Sequence, residues 1–204
     1  MELFKKPPHR LLLKFLPQIK PGCALDIGCG AGHDSFFLSK NGFKVEAIDM
    51  DLTYIKNLNK ISKKYKLNIN AFPVDIRGYK IEPEKYNLIL AIQSLVFLKK
   101  SEYKVIINSI KNGLKPEGVV IVSGFTVKDP SFSSLQKYSP MIEENTFKSK
   151  TNQYWQFFEK NELKNYFKND FQILFYGERY IKDKIPYSHS HEIVEMVAKK
   201  KYKR

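Results

Sequence analysis

This sequence predicts an α/β fold: a mostly parallel sheet with helices on both faces. Two observations carry the prediction. Between residues 23 and 123, strand-like and helix-like stretches alternate strictly, and the strands are short, unbroken Val/Ile/Leu runs of the kind buried on both sides. A third observation adds a site: a glycine-rich turn follows the first strand directly, where parallel sheets open a ligand crevice.

The elements read in order. Residues 10–16 form a short helix ended by Pro17, and Lys20-Pro21-Gly22 turns the chain. Residues 23–27 are a buried strand running into Gly28-Cys29-Gly30-Ala31-Gly32. The next helix places Phe36, Phe37 and Leu38 partly toward the core and ends with Gly42 at its C-terminal cap. Strand two, residues 44–48, ends at Asp49; residues 53–66 are an amphipathic helix with Ile55, Leu58 and Ile61 at helical spacing. Strand three, residues 69–74, ends at Asp75, and residues 86–91 are a continuous apolar strand. Ser101 is expected to cap a helix to about Leu114, and Lys115-Pro116-Glu117-Gly118 to turn the chain into strand five, residues 119–123.

The last third reads differently. Residues 125–154 are polar, contain Pro130 and Pro140, and predict a long loop or lid. Asn161 caps a short helix to Phe167, and strands at 171–176 and 193–198 pair antiparallel as a terminal hairpin within 171–198. The whole chain, 1–204, reads as one domain, with residues 1–20 a helical lid segment at its start.

Composition narrows the classes. With 43% apolar and 27% charged residues the chain is neither disordered nor collagen-like. No apolar run approaches the roughly 20 residues that span a bilayer, so no membrane association is expected. Residues 11–16, interrupted by Lys14 and closed by Pro17, are no signal peptide. Two cysteines, Cys23 and Cys29, do not make a disulfide framework, so a reducing cytoplasm is the expected setting. The net charge of +14 admits nucleic acid as a partner but does not favour it. Arginine, the residue suited to bidentate phosphate contacts, stands only at positions 10, 77, 179 and 204.

The glycine turn lets a ligand lie against main-chain atoms, with a helix N-terminus aimed at anionic groups; close packing alone also calls for such a turn. Its spacing is G-x-G-x-G, not the G-x-G-x-x-G of the dinucleotide fingerprint. Asp49 stands where a strand-end carboxylate accepts from both ribose hydroxyls, and Asp51 fits better as the cap of the following helix. Asp75 ends strand three, where a carboxylate accepts from an exocyclic amine or is simply solvated.

Residues 25–32, Leu-Asp-Ile-Gly-Cys-Gly-Ala-Gly, resemble motif I of class I S-adenosylmethionine-dependent methyltransferases. Asp49 matches the ribose-binding acid of that family, and Val74-Asp75-Ile76 its adenine-binding segment. Tyr86-Asn87-Leu88-Ile89 resembles the signature of strand four, and residues 114–118 the turn before strand five. Residues 32–43 and the C-terminal third are most similar to the tellurite-resistance (TehB-like) small-molecule methyltransferases. The resemblance implies a Rossmann-like, seven-stranded sheet whose last strand is antiparallel. It implies S-adenosyl-L-methionine as cofactor and S-adenosyl-L-homocysteine as product. By resemblance, the cofactor is held by Asp26, Gly28, Cys29, Gly30, Gly32, His33, Asp49, Met50, Asp75, Ile76, Ala91 and Ile92. At His33 a surface histidine at a helix start is the competing reading.

Methyl transfer needs positioning more than a fixed catalytic motif, because a base is required only when the acceptor must lose a proton. There is no cysteine placed for cytosine-C5 chemistry, no Asn/Asp-Pro-Pro-Tyr motif after strand four and no paired-Glu loop. A small-molecule acceptor, with an anionic one among the candidates, is therefore expected: a chalcogen oxyanion, a thiol or a carboxylate-bearing metabolite. The segment between the two terminal strands carries Arg179, Tyr187, His189 and His191, and of these Arg179, His189 and His191 are the candidate catalytic groups. The H-x-H pair also suits a metal, yet no carboxylate or cysteine partner is evident and none is expected. Trp155, Phe157 and Phe158 line the pocket or fill the core, and His9 and Arg10 are candidate lid residues. The alternatives are an RNA methyltransferase using the basic surface and a non-catalytic, cofactor-binding partner subunit.

Overall fold

The computed structural model describes residues 6–183 and 189–202; the side chains of Asp183 and His189, like all of Tyr187, lie outside that description. Five strands run parallel: β1 (Cys23–Ile27), β2 (Lys44–Asp49), β3 (Ile69–Pro73), β4 (Tyr86–Ile92) and β5 (Leu114–Thr126). They stand in the order β3-β2-β1-β4-β5. β10 (His189–Lys200) runs antiparallel beside β5 and pairs on its other edge with β9 (Phe171–Asp183). This seven-stranded arrangement with one reversed strand is the predicted fold.

Both faces are covered, and alternation along each strand decides what covers them. Leu88, Leu90, Val119 and Ile121 point to one face. There they meet Leu11 and Phe15 of α1 (Arg10–Phe15), Leu38 of α2 (His33–Lys40), and Ile55 and Leu58 of α3 (Leu52–Lys64). Ile89, Ala91, Val120 and Val122 point to the other. They pack on Tyr103, Ile107 and Ile110 of α4 (Lys100–Gly113) and on Leu163 and Phe167 of α6 (Glu162–Phe167). A strand apolar at every position is required when successive side chains enter two separate cores.

Four local expectations change. Ser101 does not cap α4: Lys99 occupies the cap position, its N–H bonds the Glu102 carboxylate at 2.9 Å, and the Ser101 N–H and hydroxyl go to Glu143. The 115–118 turn is a bulge inside β5, where Tyr86 pairs Leu114 but Leu88 pairs Val119, and Glu117 takes φ 66°. Residues 125–154 are structured, not a plain loop. They hold α5 (Pro130–Tyr138), β6 (Met141–Glu143) and β7 (Thr146–Lys148), which pairs with β8 (Tyr154–Phe158). β8 joins β5 at Phe125 and Thr126, just beyond the last β4 pair, Ile92 with Ser123. Finally, the terminal strands are far longer than predicted, so Arg179 and His191 lie in strands and not in a connecting loop. Asn161 does stand at the cap position of α6, but in a left-handed conformation and without a side-chain cap bond.

Candidate active site

The strand order turns back between β1 and β4, and parallel sheets bind ligands at the C-terminal ends of strands at such a point. A cleft of about 350 Å³ lies there, lined by Gly28, Asp49, Met50, Asp75 and Ile76 among the expected residues. Sequence reasoning missed Gln93, Ser94, Phe97, Leu98 and Gln153, which line the same cleft.

The glycine turn is shaped by its neighbours. The N–H groups of Gly28 and Cys29 both donate to Ile48 O, at 2.8 and 3.0 Å, bending the turn over the end of β2. A Cβ on Gly28, at φ +70°, would stand 2.4 Å from Ser94 Cβ, so this glycine serves packing. Gly32 likewise packs on Leu58. Gly30 differs: at φ +51° its Cβ position meets nothing within 4 Å, so its backbone faces open space. Its N–H donates to Asp49 Oδ2 at 2.8 Å, while Asp49 Oδ1 accepts from Asp51 N at 2.9 Å. A carboxylate has about four lone-pair directions, so Asp49 retains acceptor capacity toward the cleft. Asp51 is the cap of α3, accepting from Thr53 N at 2.7 Å, which leaves Asp49 to the cleft as expected.

Asp26 is buried behind the turn and accepts from Ser35 Oγ at 2.6 Å. Burial, followed by the nearby Asp34 carboxylate, pushes its pKa up to about 7. Burial also raises the Cys29 thiol and lowers the His33 imidazole at the start of α2. Asp75 is grasped by Arg77 through its backbone N–H at 2.9 Å and its guanidinium, which hold the carboxyl below the usual range. Ala91 is fully buried in β4 and Ile92 packs against the opposite core, and neither lines the cleft. Their place is taken by Gln93, a non-glycine residue at φ 51°, and Ser94, whose buried hydroxyl lacks a hydrogen-bond partner. The only hint of this in the sequence is the change from apolar strand to amide at Gln93.

The predicted acceptor groups separate. Arg179 bonds Glu195 through Nε at 2.8 Å and Nη2 at 3.2 Å, and His9 Nε2 lies 3.1 Å from the same carboxylate. Arg179 thus stands in an ion pair with Glu195 while remaining partly exposed. His191 Nδ1 lies 2.9 Å from Asp129 Oδ2, and its ring lies 4.7 Å from that of Phe125. Phe125 stacks on Trp155 at 5.8 Å, and Trp155 meets the cleft residue Phe97 edge-on at 5.4 Å. Phe157 and Phe158 are core residues.

Residues 6–183 match the family described as tellurite resistance protein TehB. The chain belongs to the TehB family. The TehB of Haemophilus influenzae strain Rd, described as a probable S-adenosyl-L-methionine-dependent methyltransferase, is 30% identical over 160 residues, 78% of this chain and 49% of that protein. The crystal structure of Haemophilus influenzae TehB superposes with a TM-score of 0.75 at 26% identity, covering 95% of this chain and 62% of that one. A methyltransferase structure from Methanosarcina mazei shares the fold at a TM-score of 0.77 and 16% identity, covering 97% of this chain and all of that one. This TehB-family chain spans about half the length of the Haemophilus TehB sequence it matches. S-adenosylmethionine is the cofactor of this class of enzymes, and the cleft fits it. Asp49, with spare acceptor capacity, and Ser94 line the cleft, and Gly30, bonded to Asp49 through its N–H, presents an open backbone face beside it. Ile48, Val74 and Ile76 give that space apolar walls.

Proposed function

We propose that this TehB-family chain transfers the methyl group of S-adenosylmethionine to a small-molecule acceptor. The observation that carries the reading is the hydrogen bond from Gly30 N to Asp49 Oδ2. It joins the glycine turn and the strand-two acid into one wall of a cleft at the switch point.

The cofactor supplies an electrophilic methyl group; the chain supplies position. In this reading Asp49 accepts from the ribose hydroxyls, and Met50 and Ile76 flank the adenine, with Asp75 at its exocyclic amine. Asp26 and His33 face the amino-acid end, Asp26 as a carboxylate for the ammonium group. Gln93 and Ser94 serve where the sequence pointed to Ala91 and Ile92. Three acidic side chains line the cleft, Asp49, Asp51 and Asp75, and its one arginine is bound to Asp75. That charge suits a small acceptor better than a phosphate backbone, which requires unpaired cations. Among small acceptors, the family likeness suggests a chalcogen oxyanion, a thiol or a carboxylate-bearing metabolite. In this reading His191 is the candidate group to act on one.

Titration calorimetry with S-adenosylmethionine, S-adenosylhomocysteine and NAD tests the cofactor assignment. The expected result is micromolar binding of both adenosyl-sulfur ligands and none of NAD. A folded chain that binds neither is a partner subunit at most.

A further inference from the structure

The lysines of this chain divide into two groups. Lys85, Lys100, Lys111, Lys128, Lys199 and Lys200, all beyond residue 80, each pair with a carboxylate. Nine lysines stand between residues 10 and 72, all exposed, and none has an ion-pair partner among the described residues. The five acids of that stretch are engaged elsewhere. Asp26 is buried, Asp34 bonds His9 N, Glu46 holds Lys85 and Tyr86, and Asp49 and Asp51 line the cleft. The unpaired cations that a phosphate backbone needs, missing from the cleft, are therefore here.

On α3 they form a row. Ile55, Leu58 and Ile61 carry the core face of the helix. Lys56, Lys60, Lys63 and Lys64 fall on the opposite face, at i, i+4, i+7 and i+8. Lys56, Lys60 and Lys64 succeed one another at about 6 Å along the axis, which suits successive phosphates of an extended strand. Local energetics do not explain the row. Like charges four residues apart destabilise a helix, and the macrodipole favours only the cations of the last turn, Lys63 and Lys64. The charge continues past the helix end. Hydrogen bonds run from Asn68 N to Ser39 Oγ, from Val45 N to Asn68 O and from Lys44 N to Gly22 O, each 2.9 Å. They gather the segments that carry Lys66, Lys40, Lys44 and Lys20 around the starts of β1, β2 and β3, the end of the sheet away from the cleft. Tyr65 stands between Lys64 and Lys66 with 42% of its surface exposed, and Asn57 and Asn68 are exposed on the same segments.

We infer that this face binds single-stranded RNA without sequence preference, along α3 and around the strand starts. Lysine is a mobile point charge, suited to phosphates and not to reading base edges. Tyr65 offers a ring on which a base stacks, and the asparagine amides bond sugar and phosphate oxygens. A face that lies on a membrane sets large apolar side chains beside its lysines; Asn57 stands within this row instead. The RNA docks on the helices and is not methylated there. The inference is independent of the methyltransferase reading, and the cleft keeps its small acceptor.

The test is fluorescence anisotropy of the full chain with a labelled oligouridine of about 20 nucleotides, across a salt series from about 50 to 300 mM. Neutralising about five phosphates gives a slope near −3.5 in log K against log salt, at about 0.7 per phosphate. A variant carrying Lys56→Gln, Lys60→Gln, Lys63→Gln and Lys64→Gln keeps good helix formers throughout. It should bind at least about tenfold more weakly, with the slope reduced by about 2 to 3 and an unchanged far-UV spectrum. The control removes the same charge from the other side of the sheet, at the exposed Lys104, Lys160, Lys164 and Lys168, also to Gln, and should lose less than about threefold. Tyr65→Leu should weaken RNA binding about fivefold with the slope unchanged, and leave heparin binding as it was. Equal losses in the two quadruple variants would make net charge the cause and overturn the assignment of the face. No RNA binding at physiological salt, or binding to phosphatidylglycerol vesicles without binding to RNA, overturns the partner. Tyr65→Leu that binds RNA and heparin as the wild type does reduces the face to a general polyanion surface and overturns the RNA assignment as well.

Discussion

Asp49 receives the N–H of Gly30 across the gap between β2 and the glycine turn, 2.8 Å from oxygen to nitrogen, and its other oxygen receives Asp51 N. One side chain therefore sets the turn's shape and, in the proposed role, keeps lone pairs for a ribose. Asp49→Ala is expected to weaken S-adenosylhomocysteine binding by roughly 1.5–3 kcal/mol, the scale of hydrogen bonds to a charged acceptor. Calorimetry on the folded variant reads this directly. Wild-type affinity would show that Asp49 shapes the turn and does nothing more.

In its proposed role Asp26 is expected to make binding depend on pH. With its pKa pushed up to about 7 by burial and Asp34, the free protein holds this carboxyl largely neutral below that pH. An ammonium group seated against it requires the carboxylate, so binding releases a proton and weakens as pH falls below about 7. The loss approaches tenfold per pH unit. Titrations between pH 6 and 8, in buffers of different ionisation heat, measure both effects; Asp26→Asn should abolish them. Stability runs the opposite way. The folded state holds the proton more tightly than the unfolded chain, whose value is about 3.9. The carboxyl's contribution is therefore fully present below about pH 4 and is lost as pH rises toward 7. Binding and melting curves that ignore pH in this window would place Asp26 away from the cofactor's ammonium group.

What was legible in the sequence follows from backbone physics. β1 and β4 were readable because both faces of each are largely buried, leaving no polar alternation to confuse them with helix. The glycine turn was readable because positive φ at residues 28, 30 and 32 restricts what can stand there. Asp51 was separable from Asp49 by its distance from the helix it caps. The hairpin's extent was hidden in part because Glu192 looks like a surface residue, and only its buried partner Thr126 shows that it belongs to the strand. Gln93 gave no warning of its left-handed backbone, a conformation uncommon outside glycine and asparagine. The helix after Asp129 did leave a signal, an Asp-Pro-Ser cap sequence, outweighed by the polar residues around it.

Glu195 ties the segment ahead of the sheet to its antiparallel strand. It is fully buried, and it receives Arg179, Arg10 and His9 together. His9 N in turn donates to Asp34 Oδ1 at 2.7 Å, beside the start of α2. Burial alone would raise the Glu195 pKa, but hydrogen bonds from His9, Arg179 and Arg10 hold it well below the usual carboxylate range. The sign is then fixed. The stabilisation is complete above the unfolded value of about 4.3 and is lost as pH falls beneath it. Glu195→Gln removes the charge and leaves two guanidinium groups facing an amide. Removing one partner of a buried ion pair costs about 3–5 kcal/mol; Arg10 and Arg179 still reach solvent, so about 2–3 kcal/mol is expected here. Denaturant melts at pH 7 should show that loss. A series from pH 3 to 6 should show the wild type weakening in acid, with the variant much flatter over the same range. Equal acid sensitivity in both chains would mean that other carboxylates, and not this buried one, govern acid unfolding.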